Sequence, residues 1–550
     1  MHQILPSTAP ESGNFAKLVL RHSQKQPYVT ALNIPLQIEN SEILKFEEVS
    51  FGELGHRIEQ FRTLLRQEGL KKQDRVVVMF KPCVNLYTMV IGLLAEGMVP
   101  VFIDTGMGPK KMLGALQESN AKLIVAASTL LRLRWLLPAF WGKKYISADK
   151  SLLGLEALDG MTETIPIPKG IFSPCVLINE NERGLISFTS GSTGRPKGAD
   201  RTHDSLIQQH IAIRDHWQDS PDDIDMTSLP VVVLHNLCCG MPSVLPAIDF
   251  SAPGNADGHL VIQQIEQCNV TRLSGAPAFV ERLADAAILI QTDTKKPFPL
   301  KSISLGGAPV TAKLACKLKK SFPEVLSQVV YGSTEAEPIA SVDITDVIKE
   351  QKQGYLVGAP AHQSQVLIVK LPENSDQIKD ESLATYSCEQ GDIGELVVKG
   401  KHVLKGYVDN PEATRENKIK CRDGTVWHRT GDLARLDDRG RIWLMGRQSD
   451  SIQYQGQNIL TYSLESKIDA IKGIKRSALV QSASTITPVL VFESGIDRAN
   501  EYSELELKHL IMKLLIAEKL SGINIACVDK IPVDSRHNSK IDRSKLRKML

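Results

Sequence analysis

Short aliphatic runs alternate with amphipathic segments through the first two-thirds of this chain, and that alternation constrains its fold more than any other feature. Residues 76–80, 123–127, 185–188 and 303–305 are apolar runs of strand length, bounded by polar residues or glycine. Between two of them, residues 204–217 place Leu206, His210, Ile213 and Trp217 at spacings of four, three and four, which predicts one face of a helix. Strand–helix alternation of this kind predicts an α/β architecture with helices covering the sheets. The texture changes after about Asp392: residues 395–399 alternate, with Leu396 and Val398 on one face, which predicts a half-buried antiparallel strand. From Gly446 onward the chain reads as a small α+β unit, with strands at 451–454 and 488–493 and a long helix from about 503 to 521. The expected boundaries are a large domain over 1–445, a polar hinge over 446–450, and a small domain over 451–550.

Composition removes several classes of function. Across 550 residues, 65 Lys+Arg stand against 63 Asp+Glu, so the basic excess expected of a nucleic-acid partner is missing. Balanced charge and evenly spread apolar runs also exclude a disordered chain. Nine cysteines without repeating spacing do not form a disulfide framework, and the chain reads as a reduced, cytoplasmic protein. The start, MHQILPSTAPESGN, has no basic segment followed by an apolar core, so no secretory signal is expected. No charged residue falls between Asp225 and Asp249, but Pro230, Pro242 and Pro246 interrupt that stretch. It reads as a buried pocket wall rather than a membrane span.

The segment richest in chemistry is Thr189-Ser190-Gly191-Ser192-Thr193-Gly194-Arg195-Pro196-Lys197-Gly198, directly after an apolar run. Its glycines permit tight turns that expose backbone N–H groups, its hydroxyls add donors, and Lys197 adds a positive charge: a cradle for phosphate oxygens. It is not a Walker A loop, because Pro196 precedes the lysine and Gly198 replaces the magnesium-holding hydroxyl residue.

With this loop in place, the chain resembles the acyl-adenylate-forming superfamily over nearly all of its length. Ser304-Leu305-Gly306-Gly307-Ala308-Pro309 resembles the segment that lies against adenine, and Tyr331-Gly332-Ser333-Thr334-Glu335 the motif in which Tyr stacks on adenine and Glu holds Mg2+. Thr430-Gly431-Asp432 is similar to the piece whose Asp bonds the ribose hydroxyls, and Arg447 to a second ribose or phosphate contact. The resemblance implies a large domain of helix-covered sheets with a β-barrel-like subdomain, a small mobile C-terminal domain, and ATP and Mg2+ as cofactors. It also implies a catalytic lysine, Lys540, carried into the cleft by that small domain, with Ser539 where the superfamily usually has glycine. Attack of a carboxylate on the α-phosphate brings two anions together, so cations and shielded donors are what such a site must supply.

A narrower resemblance, carried by residues 99–108 and 536–540, is to the olefin-biosynthesis β-lactone synthetases. It implies a β-hydroxy acid as substrate, adenylated and then closed by its own hydroxyl. The alternative is a ligase that makes a thioester with CoA or an acyl carrier protein, and a remoter one is a non-catalytic nucleotide-binding relative. Ser449 stands where the hinge residue is commonly Asp or Lys, Thr105 where proline is usual, and Glu337 where an apolar residue is usual. The acyl pocket is expected to draw on His235, Asn236, Gly240 and Gly275, from segments 231–241 and 274–277. Cys238 and Cys239 read as small buried residues, since adjacent cysteines suit neither zinc nor redox spacing. No nucleophile elbow or zinc-protease motif is present.

Overall fold

The computed structural model describes residues 13–152, 154–167, 170, 172–179, 181–189, 196–217, 220–294, 298–350, 353–372, 378, 380–481, 487–495, 502–534 and 539–550. The expected α/β architecture is present. One sheet is ordered Lys144–Ser147, Leu123–Ala126, Arg75–Met79, Val99–Ile103, Arg183–Thr189 and Lys197–Thr202, parallel except for its last pair. Its central strands are buried on both faces, which is why they read as unbroken aliphatic runs. The helix Val84–Ala95 that covers it is buried at every position except Asn85, and Gly92 lets it approach Phe61. A buried ion network fixes this layer: Arg62 donates to Glu59, Glu96 and the carbonyls of Ser173 and Pro174, so its charge is fully answered.

A second sheet carries the parallel strands Ser243–Val244, Asp225–Thr227, Arg272–Gly275, Ser302–Gly306 and Leu326–Ser333, followed by the antiparallel Ala336–Asp343 and Tyr355–Pro360. The stretch from Asp225 to Asp249 is thus strand, a ten-residue helix Pro230–Cys239, and strand, with Pro230 at the first helical turn. Among the described residues, no helix is long and apolar enough to cross a membrane.

The change of texture expected after about Asp392 falls within an antiparallel array of Gln365–Val369, Gly394–Lys399, Lys418–Lys420, Val426–Leu436 and Ile442–Arg447. Pairing among the described residues joins it to the second sheet through Tyr355–Pro360 and leaves Gln365–Val369 as an end strand. The half-buried strand expected at 395–399 is instead buried on both faces. Leu396 and Val398 pack with Ile339 and Leu444, while Val397 packs with Val369, Ile419 and Trp427. Alternation there marks two different cores rather than core and solvent.

The segment expected as a hinge over 446–450 divides into strand and turn. Gly446 and Arg447 belong to a strand and pair with Leu433 and Asp432, so the turn Gln448–Asp450 makes the connection. Beyond it, Ile474–Val480, Val489–Ser494 and Asn524–Val528 form a small sheet packed by the helices Thr461–Asp469 and Glu504–Ala517. The long helix starts with a capping box, the Ser503 hydroxyl accepting from Glu506 N and Glu506 accepting from Ser503 N. This unit rests on the large body at defined points: Lys313 Nζ donates to the carbonyls of Ile471 and Ile474 at 2.8 and 2.7 Å.

Candidate functional site

The glycine-rich loop joins two antiparallel strands, with Thr189 at the end of one opposite Lys197 at the start of the next. Ser190, Gly191, Ser192, Thr193 and Gly194 lie outside the described residues. Lys197 is buried, and its Nζ stands 5.6 Å from the centre of the Tyr407 ring. A second ammonium, Lys418 Nζ, stands 5.8 Å from the same ring. The Tyr407 hydroxyl donates to Glu335 Oε1 at 2.9 Å. Burial opposes ionisation of Glu335, but His428, Lys418 and the Tyr407 hydroxyl outweigh it and bring the carboxyl down to about 2. Burial lowers the His428 imidazole to about 3, with Lys418 adding to the effect, so the ring is neutral at neutral pH. What holds Glu335 ionised there is therefore Lys418 and Tyr407. Burial pulls Lys418 itself down to about 7, against the attraction of Glu335.

The turn that carries Glu335 is pinned from several sides. Glu335 N donates to the Ser333 hydroxyl, Leu404 N donates to the Glu335 carbonyl, and Arg201 donates to the Thr334 carbonyl. Gly332 is close-packed, since an added Cβ would lie 3.1 Å from the Ala336 carbonyl. Four residues before Glu335, Tyr331 donates its hydroxyl to Asp432 Oδ2 at 2.6 Å, and Arg447 Nε lies 3.0 Å from Asp432 Oδ1. Burial and then Asp432 raise the Tyr331 phenol well above its usual range, and Asp432 is the main cause of the raised Arg447 value. Strand pairing sets this trio: Asp432 and Arg447 are partners in register, and Thr430 Oγ1 accepts from Asp432 N. Gly307 follows its strand with φ +87°, a left-handed turn suited to glycine, and leads into Ala308 and Pro309.

Lys540 sits on a turn fixed by Asp534. Asp534 Oδ1 accepts from the backbone N–H groups of Ser539 and Lys540, and Asp534 N donates to the Lys540 carbonyl. The turn touches the large body where Ala278 N donates to the Ser539 hydroxyl at 3.1 Å. Ser539 thus supplies a docking contact that the expected glycine would lack.

A cavity opens at the carboxyl ends of three parallel strands, where open α/β sheets form their ligand crevices. It is lined by Ile213, His216, Trp217, Leu229, Val231, Val232, Ser274, Ser304, Leu305, Gly306, Val330, Glu337 and Pro338. Several expected pocket residues do other work. Asn236 is fully buried and donates to Asp225 Oδ2 and the Ser243 hydroxyl, tying helix to strand. Gly240 closes its helix at φ +76°, where a Cβ would lie 2.5 Å from His22 Nδ1, and Gly275 is packed against Phe279. His235 stands one layer behind the wall, its Nδ1 3.0 Å from His210 Nδ1, its ring against the edge of Trp217, and its Nε2 3.5 Å from Cys239 Sγ. Cys239 is therefore part of a polar cluster and only half-buried, which corrects its reading as a buried residue, while Cys238 is core as expected.

Sequence reasoning missed Tyr407, Lys418, His428 and His216. His216 lines the cavity, its Nε2 is buried without a hydrogen-bond partner among the described residues, and burial lowers its basicity. Its only signal was a place one residue off the apolar stripe of its helix. Lys418 and His428 face each other through a strand pair that no periodicity exposed.

The family model for AMP-binding enzymes matches residues 21–408. The chain is similar to an olefin beta-lactone synthetase of Xanthomonas campestris pv. campestris, 27% identical over 521 residues, which cover 90% of either chain. It is also similar to the 2-succinylbenzoate–CoA ligase of Listeria monocytogenes serotype 4b, 22% identical over 92% of this chain and 96% of the relative. Its fold matches the crystal structure of ATP-bound MatB from Rhodopseudomonas palustris with a TM-score of 0.76 at 22% identity, over 97% and 98% of the two chains.

Proposed function

The chain belongs to the AMP-binding enzyme family, and on that footing we propose that it activates a hydrophobic β-hydroxy acid with ATP, releasing pyrophosphate, and closes the resulting acyl-AMP to a β-lactone. The observation that carries the first step is a pair of clusters four residues apart in the chain: Tyr331 with Asp432 and Arg447, and ionised Glu335 with Tyr407, whose ring also lies by buried Lys197. In this reading Tyr331 and the 307–309 turn bind adenine, Asp432 and Arg447 hold ribose and phosphate, and the 189–197 loop cradles the phosphates. Lys540 spans carboxylate and α-phosphate, and the unit over 451–550 moves as a cap that delivers it.

Mg2+ suits Glu335, because an ionised carboxylate is the hard oxygen donor that the ion prefers. Bound there, it neutralises phosphate charge. The substrate's carboxylate attacks the α-phosphate, pyrophosphate leaves with the bonding pair, and from the chain's own residues Lys540 stabilises the charge that builds between the anions. In the second step the β-hydroxyl oxygen bonds to the acyl carbon, AMP leaves with the electron pair of the broken C–O bond, and the hydroxyl proton passes to water or to the departing phosphate. A well-oriented intramolecular attack gains effective molarities of roughly 10⁵ M or more, which offsets ring strain.

Similarity to the olefin beta-lactone synthetase supports the second step, as does a cavity lined by His216, whose buried Nε2 has no hydrogen-bond partner among the described residues: a hydroxyl on the acid satisfies that ring where a plain aliphatic chain does not. Similarity to a CoA ligase favours a second reading, thioester formation. Mass spectrometry of products from matched plain and β-hydroxy fatty acids, with and without CoA, separates the two. The lactone reading expects a product one water lighter than the β-hydroxy acid, formed without CoA. A CoA thioester from the plain acid, with no lactone from its β-hydroxy partner, contradicts it.

A further inference from the structure

Lys418 is 5% exposed, and its Nζ is buried without a hydrogen-bond partner among the described residues. No described carboxylate lies within ion-pair distance of it. Its surroundings are the Tyr407 ring, the neutral His428, whose Nδ1 is turned to the Asn417 carbonyl, and at longer range Glu335, which already accepts from Tyr407. A buried ammonium left in this state costs the fold several kcal/mol and adds no packing that an apolar side chain could not supply. Lys197 lies on the same aromatic ring, so two lysine nitrogens gather at one ring whose hydroxyl is bonded to a carboxylate. An anion entering there holds both of them in the charged form.

We propose that Lys418 is a phosphate-binding residue of the nucleotide cleft, its ammonium held in reserve beside Glu335 until a triphosphate arrives. The proposal rests on the nucleotide reading given above and adds a third lysine to Lys197 and Lys540. It differs from a role in which Lys418 only tunes Glu335 for a metal, because a phosphate contact operates without metal.

Binding of ATP and of adenosine in EDTA, measured by calorimetry on wild type, Lys418→Met and Lys418→Gln, makes that distinction. Both variants are expected to bind ATP about tenfold or more weakly, the scale of a lost charge-assisted contact, with adenosine affinity unchanged. Lys418→Arg, which keeps the charge, is expected to recover part of the loss. If one variant does not fold, the other carries the test. ATP affinity equal to wild type, or equal losses for ATP and adenosine, overturns the role of Lys418 alone. A wild-type protein that binds no ATP overturns both this proposal and the nucleotide reading.

Discussion

Lys540→Ala is expected to lower acid-dependent pyrophosphate exchange by about 10²-fold or more while leaving ATP binding by the large body nearly unchanged. The magnitude is that of removing one positioned group from a developing charge, and it falls on the rate because the charge between carboxylate and α-phosphate peaks in the transition state. Geometry makes the effect local. Asp534 holds the turn through backbone N–H groups, and Ser539 docks it on Ala278, so truncating the Lys540 side chain leaves both contacts in place. Steady-state exchange, with nucleotide binding measured alongside, checks the split. Unchanged exchange in Lys540→Ala would show that the C-terminal turn is not catalytic. An alanine that lost rate and ATP affinity in proportion would mark Lys540 as a binding residue only.

Glu335→Gln is expected to be as damaging, by about 10²-fold in adenylation, and to raise the Mg2+ concentration needed for half-maximal rate. Glutamine keeps an oxygen for the Tyr407 hydroxyl, so what is lost is charge rather than shape. The substitution also has a pH signature. Folding lowers this carboxyl from its ordinary 4.5 to about 2, so its contribution to stability is complete above pH 4.5 and fades as pH falls toward 2. Glutamine should therefore cost stability at pH 7 and little at pH 2, which melts at several pH values will reveal. A variant with wild-type Mg2+ dependence would remove Glu335 from the metal site.

The scaffold was legible because its signals are local. Aliphatic runs bounded by polar residues became parallel strands within a residue or two of their expected ends, and the helix expected at 204–217 spans His203–Trp217. The adenylate motifs were legible because each is contiguous and they follow one another in order. Contacts made by strand register were not. Lys418 and His428 meet only when short antiparallel strands pair, Tyr407 reaches Glu335 from a segment held by one isolated bridge to Ala199, and no period in the sequence marks either. The pocket was read too close to the chain: residues 231–241 were expected to line it as a block, yet a helix shows the cavity one side only. Val231 and Val232 face in, while Asn236 and Gly240 serve the scaffold. The hinge over 446–450 was read from polarity alone, whereas Gly446 and Arg447 complete a strand whose partner includes Asp432.

The central claim is that a carboxylate oxygen attacks the α-phosphate of ATP. Incubating the enzyme with ATP and a β-hydroxy fatty acid labelled with oxygen-18 in its carboxyl group tests it directly, by following the label into the nucleotide. The account predicts one labelled oxygen in the phosphate of AMP for each turnover, together with unlabelled pyrophosphate. Label in orthophosphate with ADP as the nucleotide product, or AMP free of label, would contradict it.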